Sequence, residues 1–371
     1  MVMRRIHTNL KSWEYISKME KLLTIIIPTY NMEKYLHRCL DSLLVSKVYM
    51  DMMEVLIIND GSKDSSSAIG HTYESNYPRT FRVIDKQNGN YGSCVNRGLM
   101  EASGKFVKIL DADDFYQTAH LEQFVCMLKD VEADLVLTDM VFVYSKERKI
   151  YQSFDFPADI VHSATLMAHS DFMNKMEMHH VTYKKDVLDR INYQQTEGIS
   201  YTDQEWIFYP MMAVNSISYI PIDIYQYMLD RGGQTMDMEV EARCVDHKIT
   251  IAKRMIEYLK EGRFDHPSKE VYARCRLSRF LRLIYKLVLL YQTDNQYRTH
   301  LKLLENMDIM VKINLPYLYD ESNSYVISSE IPMKFVKYWR VRRCRYPLFV
   351  LKLHRQVKGL DVLLRKMHLR G

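Results

Sequence analysis

Apolar residues follow two different spacings along the first part of the chain. Residues 22–27 form a near-continuous apolar, β-branched run, which predicts a buried strand of a parallel sheet. Residues 33–46 instead carry leucines at helical spacing. Further apolar runs predict strands at 54–58, 81–84 and 105–110, and a helix opens from the Gly/Asn-rich loop 87–93. Strand and helix therefore alternate, which predicts an α/β fold: a doubly wound, mostly parallel sheet flanked by helices, with its ligand at the carboxyl ends of the strands.

The pattern turns helical beyond residue 236. Apolar residues recur at spacings of three and four over 240–261 and 272–291, so we expect a helical C-terminal region. The chain has 371 residues, enough for a full α/β domain and a smaller second part. We predict four segments, namely an N-terminal extension over 1–21, the α/β domain over 22–235, the helical region over 236–333 and a basic amphipathic tail over 334–371.

Three carboxylates stand directly after the strand predicted at 105–110. Asp111, Asp113 and Asp114 are like charges at close spacing, and they repel one another unless a cation lies among them. Hard oxygen ligands favour Mg²⁺ or Mn²⁺, with Asp111 and Asp113 as the first choices. The alternative is a solvated loop in which Asp114 caps the next helix.

Four motifs together resemble one protein family, the family 2 glycosyltransferases of bacterial polysaccharide type, which have the GT-A fold. The motifs are Ile-Pro-Thr-Tyr-Asn at 27–31, Ile-Ile-Asn-Asp-Gly-Ser-Lys-Asp at 57–64, Asn-Gly-Asn-Tyr-Gly-Ser-Cys-Val-Asn-Arg-Gly at 88–98 and Leu-Asp-Ala-Asp-Asp at 110–114. Their order and spacing match that family over about two thirds of the chain, and four linked motifs are more specific than any one.

The resemblance implies a nucleotide-diphosphate sugar donor bound at these motifs. Tyr30 would stack on the base, and Asp60 would accept a hydrogen bond from a base N–H. Asp111 would lie near the ribose, and Asp113 would ligate the metal together with Asp111. Two further motif residues are expected to contact the donor, namely Pro28 and Asn88. The alternatives are that Tyr30 packs on the sheet and that Asp60 serves only an Asp-Gly turn.

A later segment resembles the family's catalytic stretch. It is Glu-Gly-Ile-Ser-Tyr-Thr-Asp-Gln-Glu-Trp at 197–206. The family often has Glu-Asp where this chain has Thr202 and Asp203, so the resemblance implies Asp203 as the catalytic base of an inverting transfer. Glu205 is either a supporting acid or a solvated helix residue. The Gly-rich segment at 231–235 resembles the loop that closes over the donor phosphates, with Arg231 on the diphosphate.

Two adjacent histidines precede a predicted strand at 181–183. Neighbouring side chains in a strand point to opposite faces, so His179 and His180 are not expected to bind one metal ion as a pair. One of them lines the acceptor pocket, or both are packed or exposed.

Cysteine usage and charge bear on the compartment and the partners. The six cysteines include no Cys-x-x-Cys pair, residues 1–18 have no signal-peptide apolar core, and no apolar run is long enough to cross a membrane, so we expect a cytoplasmic protein. The formal charge is +5, but residues 334–371 hold twelve Lys/Arg and one acid. This local charge, mixed with aromatic residues, predicts peripheral binding to an anionic membrane surface. The alternative is a solvated helical face. No nucleic-acid motif is present.

The prediction is therefore a metal-dependent glycosyltransferase acting on a saccharide or lipid-linked acceptor, with a UDP-sugar as the first choice of donor. Teichoic-acid or glycoprotein synthesis within the same family and a non-catalytic sugar-nucleotide-binding scaffold are the alternatives. A nicotinamide oxidoreductase is not favoured, because the first strand is followed by Pro-Thr-Tyr-Asn instead of Gly-x-Gly-x-x-Gly.

Overall fold

The predicted parallel strands form one half of a large sheet. The structure, a computed structural model, describes residues 21–144, 149–158, 160–229, 238–292, 295–329 and 331–344. The parallel strands are β1 (Leu23–Thr29), β2 (Met53–Asn59), β3 (Phe81–Asp85) and β4 (Phe106–Ile109), with β1 between β2 and β4. All seven residues of β1 are buried, which explains its unbroken apolar sequence, since helices cover both faces of such a strand.

The other half of the sheet is mixed. Its strands are β5 (Phe115–Tyr116), β6 (Leu135–Val143), β7 (Lys149–Gln152), β8 (Val161–Ser163), β9 (Val181–Lys184) and β10 (Ser216–Met228). Among the described residues the order is β3-β2-β1-β4-β9-β6-β10-β5, with β7 beside β6 and β8 beside β10. Strand β9 is antiparallel to both β4 and β6, so it joins the two halves next to the carboxylate motif. The predicted fold class is confirmed.

The helices of this first unit flank the sheet. They are α1 (Glu33–Asp41), α2 (Lys47–Met52), α3 (Ser66–Asn76), α4 (Asn90–Glu101), α5 (Thr118–Leu128), α6 (Ser170–Lys175), α7 (Lys185–Arg190) and α8 (Asp203–Trp206), with short 3₁₀ turns at Ala164–Ala168, Met178–His180 and Pro210–Ala213. Helix α4 lies very close to β1, because a Cβ on Gly98 would come within 2.5 Å of a methyl group of Ile26. Glycine at this position therefore lets α4 pack directly on the central strand.

The described residues from 238 onward form a second compact unit, which is helical as predicted. Its helices are α9 (Met238–Arg243), α10 (Val245–Glu261), α11 (Pro267–Lys286) with a π-helical turn at Leu287–Tyr291, α12 (Tyr297–Asn314), α13 (Pro316–Ser322) and α14 (Phe335–Arg342). Gly262 ends α10 at φ 64°, a conformation that glycine adopts without strain. None of the described helices combines the length and the apolar character that a membrane crossing requires.

The start of the basic tail belongs to the core of the helical unit, which corrects the prediction for 334–344. Phe335 and Trp339 are buried, so they do not form an exposed membrane-binding face. Arg340 forms a buried ion pair with Asp308, and its guanidinium lies 3.6 Å from the ring centroid of Tyr319. These residues therefore hold α14 against its neighbours. Residues 345–371, which carry the rest of the predicted tail, lie outside the described part of the chain.

Candidate active site

The carboxylate motif is tied to the end of β10 through Asp114. One oxygen of Asp114 accepts a hydrogen bond from the Met228 amide at 2.8 Å, and the other accepts one from the Tyr225 hydroxyl at 2.9 Å. The Asp111 amide in turn donates to the Tyr225 oxygen at 3.2 Å. Asp114 therefore fixes the turn and does not cap α5, which starts after Gln117 without a side-chain cap.

Negative charge accumulates in this turn. Burial raises the pKa of Asp114 well above its usual value, and the charges of Asp113 and Asp111 raise it further. A cation would relieve this repulsion, so the residues fit a divalent metal. The potential ligand atoms of Asp111, Asp114 and His179 lie within 4.8 Å of one another, whereas Asp113 is not part of that group. Asp113 is half-buried, and its main-chain carbonyl accepts a hydrogen bond from Arg38 at 2.8 Å.

Asp111 is the carboxylate with neighbours from three other segments. The Tyr91 hydroxyl, at the start of α4, donates to Oδ1 of Asp111 at 2.8 Å. Nε2 of His179 lies 4.0 Å from Oδ2 of Asp111. The His179 ring stacks on Tyr227 of β10, with a centroid distance of 4.6 Å and an angle of 27°. The N-terminus of α4, the start of β9 and the end of β10 thus meet around Asp111.

A buried lysine holds the segment that carries His179. Lys108 is fully buried in β4, and its ammonium donates to the main-chain carbonyls of His179 at 2.8 Å and Val181 at 3.2 Å. Burial lowers the pKa of Lys108 to about 7. Burial, followed by the neighbouring His180 and Lys108, lowers the pKa of His179 to about 3, so its imidazole is neutral at physiological pH.

The two adjacent histidines have different surroundings. Residues 178–180 form a 3₁₀ turn instead of strand, yet the rings still diverge, as the sequence predicted. Nδ1 of His180 lies 2.7 Å from the Thr138 carbonyl oxygen, and its ring packs edge-on against Phe154. His180 is thus a packed core residue, whereas His179 faces the carboxylate motif.

Asp203 begins α8 and lies near the same tyrosine as Asp111. The pKa of Tyr91 is raised well above its usual value, first by burial, then by the charge of Asp111 and also by that of Asp203. Asp203 also contributes to the raised pKa of Tyr227. The side chain of Gln204 donates to one Asp203 oxygen at 2.9 Å. The two carboxylates that the sequence singled out therefore both raise the pKa of Tyr91, and Asp111 also accepts a hydrogen bond from its hydroxyl, although 92 positions separate the two acids along the chain.

The loop before α8 is docked on α4 by residues of the 88–98 motif. The Asn96 side chain donates to the Gln195 carbonyl at 2.9 Å and accepts from its amide at 2.8 Å. Gly92 faces this loop so closely that a Cβ would come 2.1 Å from the Thr196 carbonyl oxygen. Glu205 is buried and accepts hydrogen bonds from the Thr196 amide and hydroxyl at 2.7 and 2.8 Å. It is therefore an anchor between the loop and α8, not a solvated residue.

Asp60 and Asn88 organise the loop after β3. One oxygen of the buried Asp60 accepts hydrogen bonds from the Lys86 ammonium at 2.6 Å and the Gly89 amide at 2.9 Å. The Asn88 side chain donates to the Asp60 carbonyl at 3.0 Å. Lys86 and Asn88 also line a pocket of about 380 Å³ that extends along α4. Of the two predicted donor residues, Asn88 thus lines the pocket, and Asp60 holds two of its lining residues, Lys86 and Gly89.

Tyr30 and Pro28 differ in exposure at the end of β1. The Tyr30 ring is 46% exposed, as a base-stacking residue must be, whereas Pro28 is buried within the strand. Asn31 follows at φ 55°, and its side-chain oxygen accepts a hydrogen bond from the Lys63 amide at 2.7 Å. Arg231, predicted on the diphosphate, lies outside the described residues.

Sequence reasoning missed or undervalued three functional candidates. Tyr91 stands inside a recognised motif, but its contact with Asp111 depends on how α4 packs. Lys108 had a signal, since a lysine in the middle of an apolar strand must find buried partners. For His179, the sequence allowed two interpretations, a residue that lines the acceptor pocket and a packed or exposed residue.

Comparison with known proteins relates this sequence to glycosyltransferases. Residues 24–190 match glycosyl transferase family 2. An uncharacterized glycosyltransferase of Escherichia coli, YibD, is 27% identical over 215 residues, which are 56% of this chain and 61% of that protein. The minor teichoic acid biosynthesis protein GgaB of Bacillus subtilis is 30% identical over 121 residues, 32% of this chain and 13% of its own length. This chain therefore spans less than two thirds of either relative.

The fold has a solved counterpart. Residues 1–349 of TarS from S. aureus, crystallised with UDP-GlcNAc, superpose with a TM-score of 0.60 at 19% identity, covering 80% of this chain and 82% of that one. At this identity the likeness concerns the fold alone. Residues 24–190, which contain all four motifs, thus match glycosyl transferase family 2, and the fold of the chain is of the GT-A type.

Proposed function

We propose that the chain is an inverting glycosyltransferase that moves a sugar from a nucleotide-diphosphate donor to a hydroxyl group of a saccharide or lipid-linked acceptor in cell-surface polysaccharide synthesis. The observation that carries this proposal is that Asp111 and Asp203 act on the same two tyrosines: Tyr91 donates a hydrogen bond to Asp111, and the charges of both acids raise the pKa values of Tyr91 and Tyr227. It brings the carboxylate expected at the donor and the carboxylate expected at the acceptor to one place.

The donor is proposed to lie across the carboxyl ends of the parallel strands. Tyr30 has the exposure needed to stack on the base, Asn88 lines a pocket, and Asp60 holds the lining residues Lys86 and Gly89 of that pocket. Asp111 would contact the ribose, and Arg231 the diphosphate. The complex of TarS with UDP-GlcNAc supports a UDP-sugar as the first choice.

Asp111 and Asp113 are the carboxylates proposed to hold Mg²⁺ or Mn²⁺. Both oxygens of Asp114 already accept hydrogen bonds within the fold, so Asp114 is the less suitable ligand although it lies in the same group. When bound, the cation neutralises the departing diphosphate and so acts as a Lewis acid on the leaving group. The protein's own contribution is a turn held rigid by Asp114 and Tyr225.

Asp203 is the proposed general base. Its carboxylate accepts the proton of the acceptor hydroxyl as that oxygen attacks the anomeric carbon from the face opposite the diphosphate, which inverts the anomeric centre. An ionised Asp is a weak base, so position contributes as much as basicity. The contacts of Glu205 and Asn96 with the 195–196 loop supply that positioning.

The test of the proposed function is donor-dependent hydrolysis across a panel of UDP-, GDP- and dTDP-sugars with Mn²⁺. We expect UDP-sugars to be hydrolysed fastest, and dTDP-sugars to be slower by roughly tenfold or more, because dTDP lacks the 2′-hydroxyl of the ribose that Asp111 is proposed to contact. Donor binding without turnover, with any acceptor, would instead support the scaffold alternative. The likeness to GgaB makes teichoic-acid precursors the second acceptor class to try.

Peripheral membrane binding is proposed for residues 345–371, since the start of the tail is buried in the helical unit. These residues hold seven Lys/Arg and one acid, and each basic residue near an anionic surface contributes roughly 1 kcal/mol. Deleting 345–371 should abolish salt-sensitive pelleting with anionic vesicles while donor hydrolysis persists. Unchanged pelleting of the deletion variant, or none by the full chain at low salt, would contradict this proposal.

A further inference from the structure

We infer that His179 supplies a ring nitrogen ligand to the divalent cation of the active site, so that the metal is held by carboxylate oxygen and imidazole together. The inference rests on the proposed function, because it concerns the same cation. It adds a residue that none of the sequence motifs contains.

The position of His179 carries the inference. Its side chain comes from the turn before β9, a segment remote in sequence from the carboxylate motif. Nε2 lies 4.0 Å from Oδ2 of Asp111, and the ring belongs to the cluster whose candidate ligand atoms lie within 4.8 Å of one another. Ligands of one metal ion lie about 3–4 Å apart when each is roughly 2.1 Å from the ion, so only a small adjustment is needed.

The hydrogen-bond inventory of His179 supports a ligand more than a core residue. The residue is 8% exposed, and its Nδ1 has no hydrogen-bond partner among the described residues. Buried polar atoms in folded proteins nearly always have a partner, so the unpartnered Nδ1, on a ring whose Nε2 lies 4.0 Å from a carboxylate oxygen of Asp111, points to an absent group. His180, by comparison, has its Nδ1 satisfied by the Thr138 carbonyl.

The surroundings hold the His179 ring in place. Tyr227 stacks on it, and Tyr225 contacts it edge-on at a centroid distance of 4.5 Å. Lys108 holds the main chain of His179 in place by donating a hydrogen bond to its carbonyl. A ring restrained on several sides needs little ordering when it binds a cation, which is how effective metal sites are supported.

An imidazole ligand changes which metal the site prefers. Mg²⁺ favours oxygen ligands only, whereas Mn²⁺ binds more tightly to sites that include nitrogen. The site is therefore expected to select Mn²⁺ over Mg²⁺, and His179→Gln should reduce that selectivity. Gln keeps a similar length and offers an oxygen in place of the ring nitrogen.

The test is pulsed electron paramagnetic resonance of Mn²⁺ added alone to the full chain. We expect ¹⁴N modulation from a directly bound nitrogen, and its replacement by ¹⁵N coupling when only histidine is ¹⁵N-labelled. The labelled wild-type protein needs no substitution, so the result does not depend on whether a variant folds. In His179→Gln the nitrogen signal should vanish, and Mn²⁺ affinity should fall by roughly 10–100-fold.

His162→Gln is the matched control, because that histidine is partly exposed and its Nε2 bonds the Pro157 carbonyl, away from the carboxylate motif. It should leave both the signal and the affinity unchanged. Absence of Mn²⁺ binding, bound Mn²⁺ without histidine coupling, or an unchanged signal in His179→Gln would each overturn the inference. Donor hydrolysis that still requires a metal would then leave the proposed function standing.

Discussion

Replacing Asp203 by Asn is expected to lower kcat by roughly 10²–10⁴-fold while donor affinity stays near that of the wild type. Asn is nearly isosteric, so it keeps the start of α8 and its contact with Gln204. It cannot accept the proton of the acceptor hydroxyl, however, and proton transfer occurs only in the transition state. The loss should therefore appear in the rate and not in binding.

The measurement combines steady-state kinetics with calorimetric titration of UDP. Asp186→Asn is the matched control, because Asp186 is exposed on α7 and forms an ion pair with Arg190 one turn along the same helix, so the same charge change there should leave kcat unaltered. If Asp203→Asn instead lost UDP binding and showed no separate loss of rate, Asp203 would be a donor residue and not the base.

Asp113→Asn is expected to abolish Mn²⁺- or Mg²⁺-dependent turnover without lowering the melting temperature. Asn keeps the size of the half-buried side chain and removes a charge that repels Asp114, so we expect the fold to be retained while the cation would lose a ligand. Asp114→Asn should behave differently. Both Asp114 oxygens accept hydrogen bonds from donors, and an amide nitrogen placed against either donor would cost about 1–3 kcal/mol of stability.

Thermal unfolding and turnover measured on both variants separate a metal ligand from a structural carboxylate. Loss of activity at unchanged melting temperature is required for Asp113, and a lowered melting temperature for Asp114. Full wild-type activity in excess EDTA would refute the metal dependence altogether.

The parallel half of the fold was predictable, because β1, β2 and β4 are buried on both faces and have largely apolar sequences, and the edge strand β3 is a short apolar-rich run. Of the mixed half, the sequence predicted only the strand at 181–183, which the structure has as β9. Strand β10 runs for 13 residues with polar positions interspersed, and its pairing with β6 depends on contacts about 80 residues apart. Such pairing is decided by packing, and no local periodicity encodes it.

The site divides in a similar way. Asp111 and Asp203 stand in motifs whose residue types reveal their chemistry, so their proximity could be anticipated. Tyr91 and His179 gain their importance only from neighbours brought by other elements. The tail shows the opposite error, since Phe335 and Trp339 matched the composition of a membrane-binding face but fill the core of the helical unit. Composition alone does not show whether the aromatic residues of a basic helix face a membrane or the core of the protein.

The close approach of Gly92 to Thr196 has a consequence for protein engineering. The loop that leads to the proposed base can pack on α4 because residue 92 has no side chain and because Asn96 forms two hydrogen bonds with the loop. Helix α4 and the 195–196 loop therefore cannot be exchanged independently of each other. A chimera that takes the 195–196 loop from a relative must also take compatible residues at 92 and 96. Otherwise the new loop will clash with α4 or lose its hydrogen bonds to residue 96.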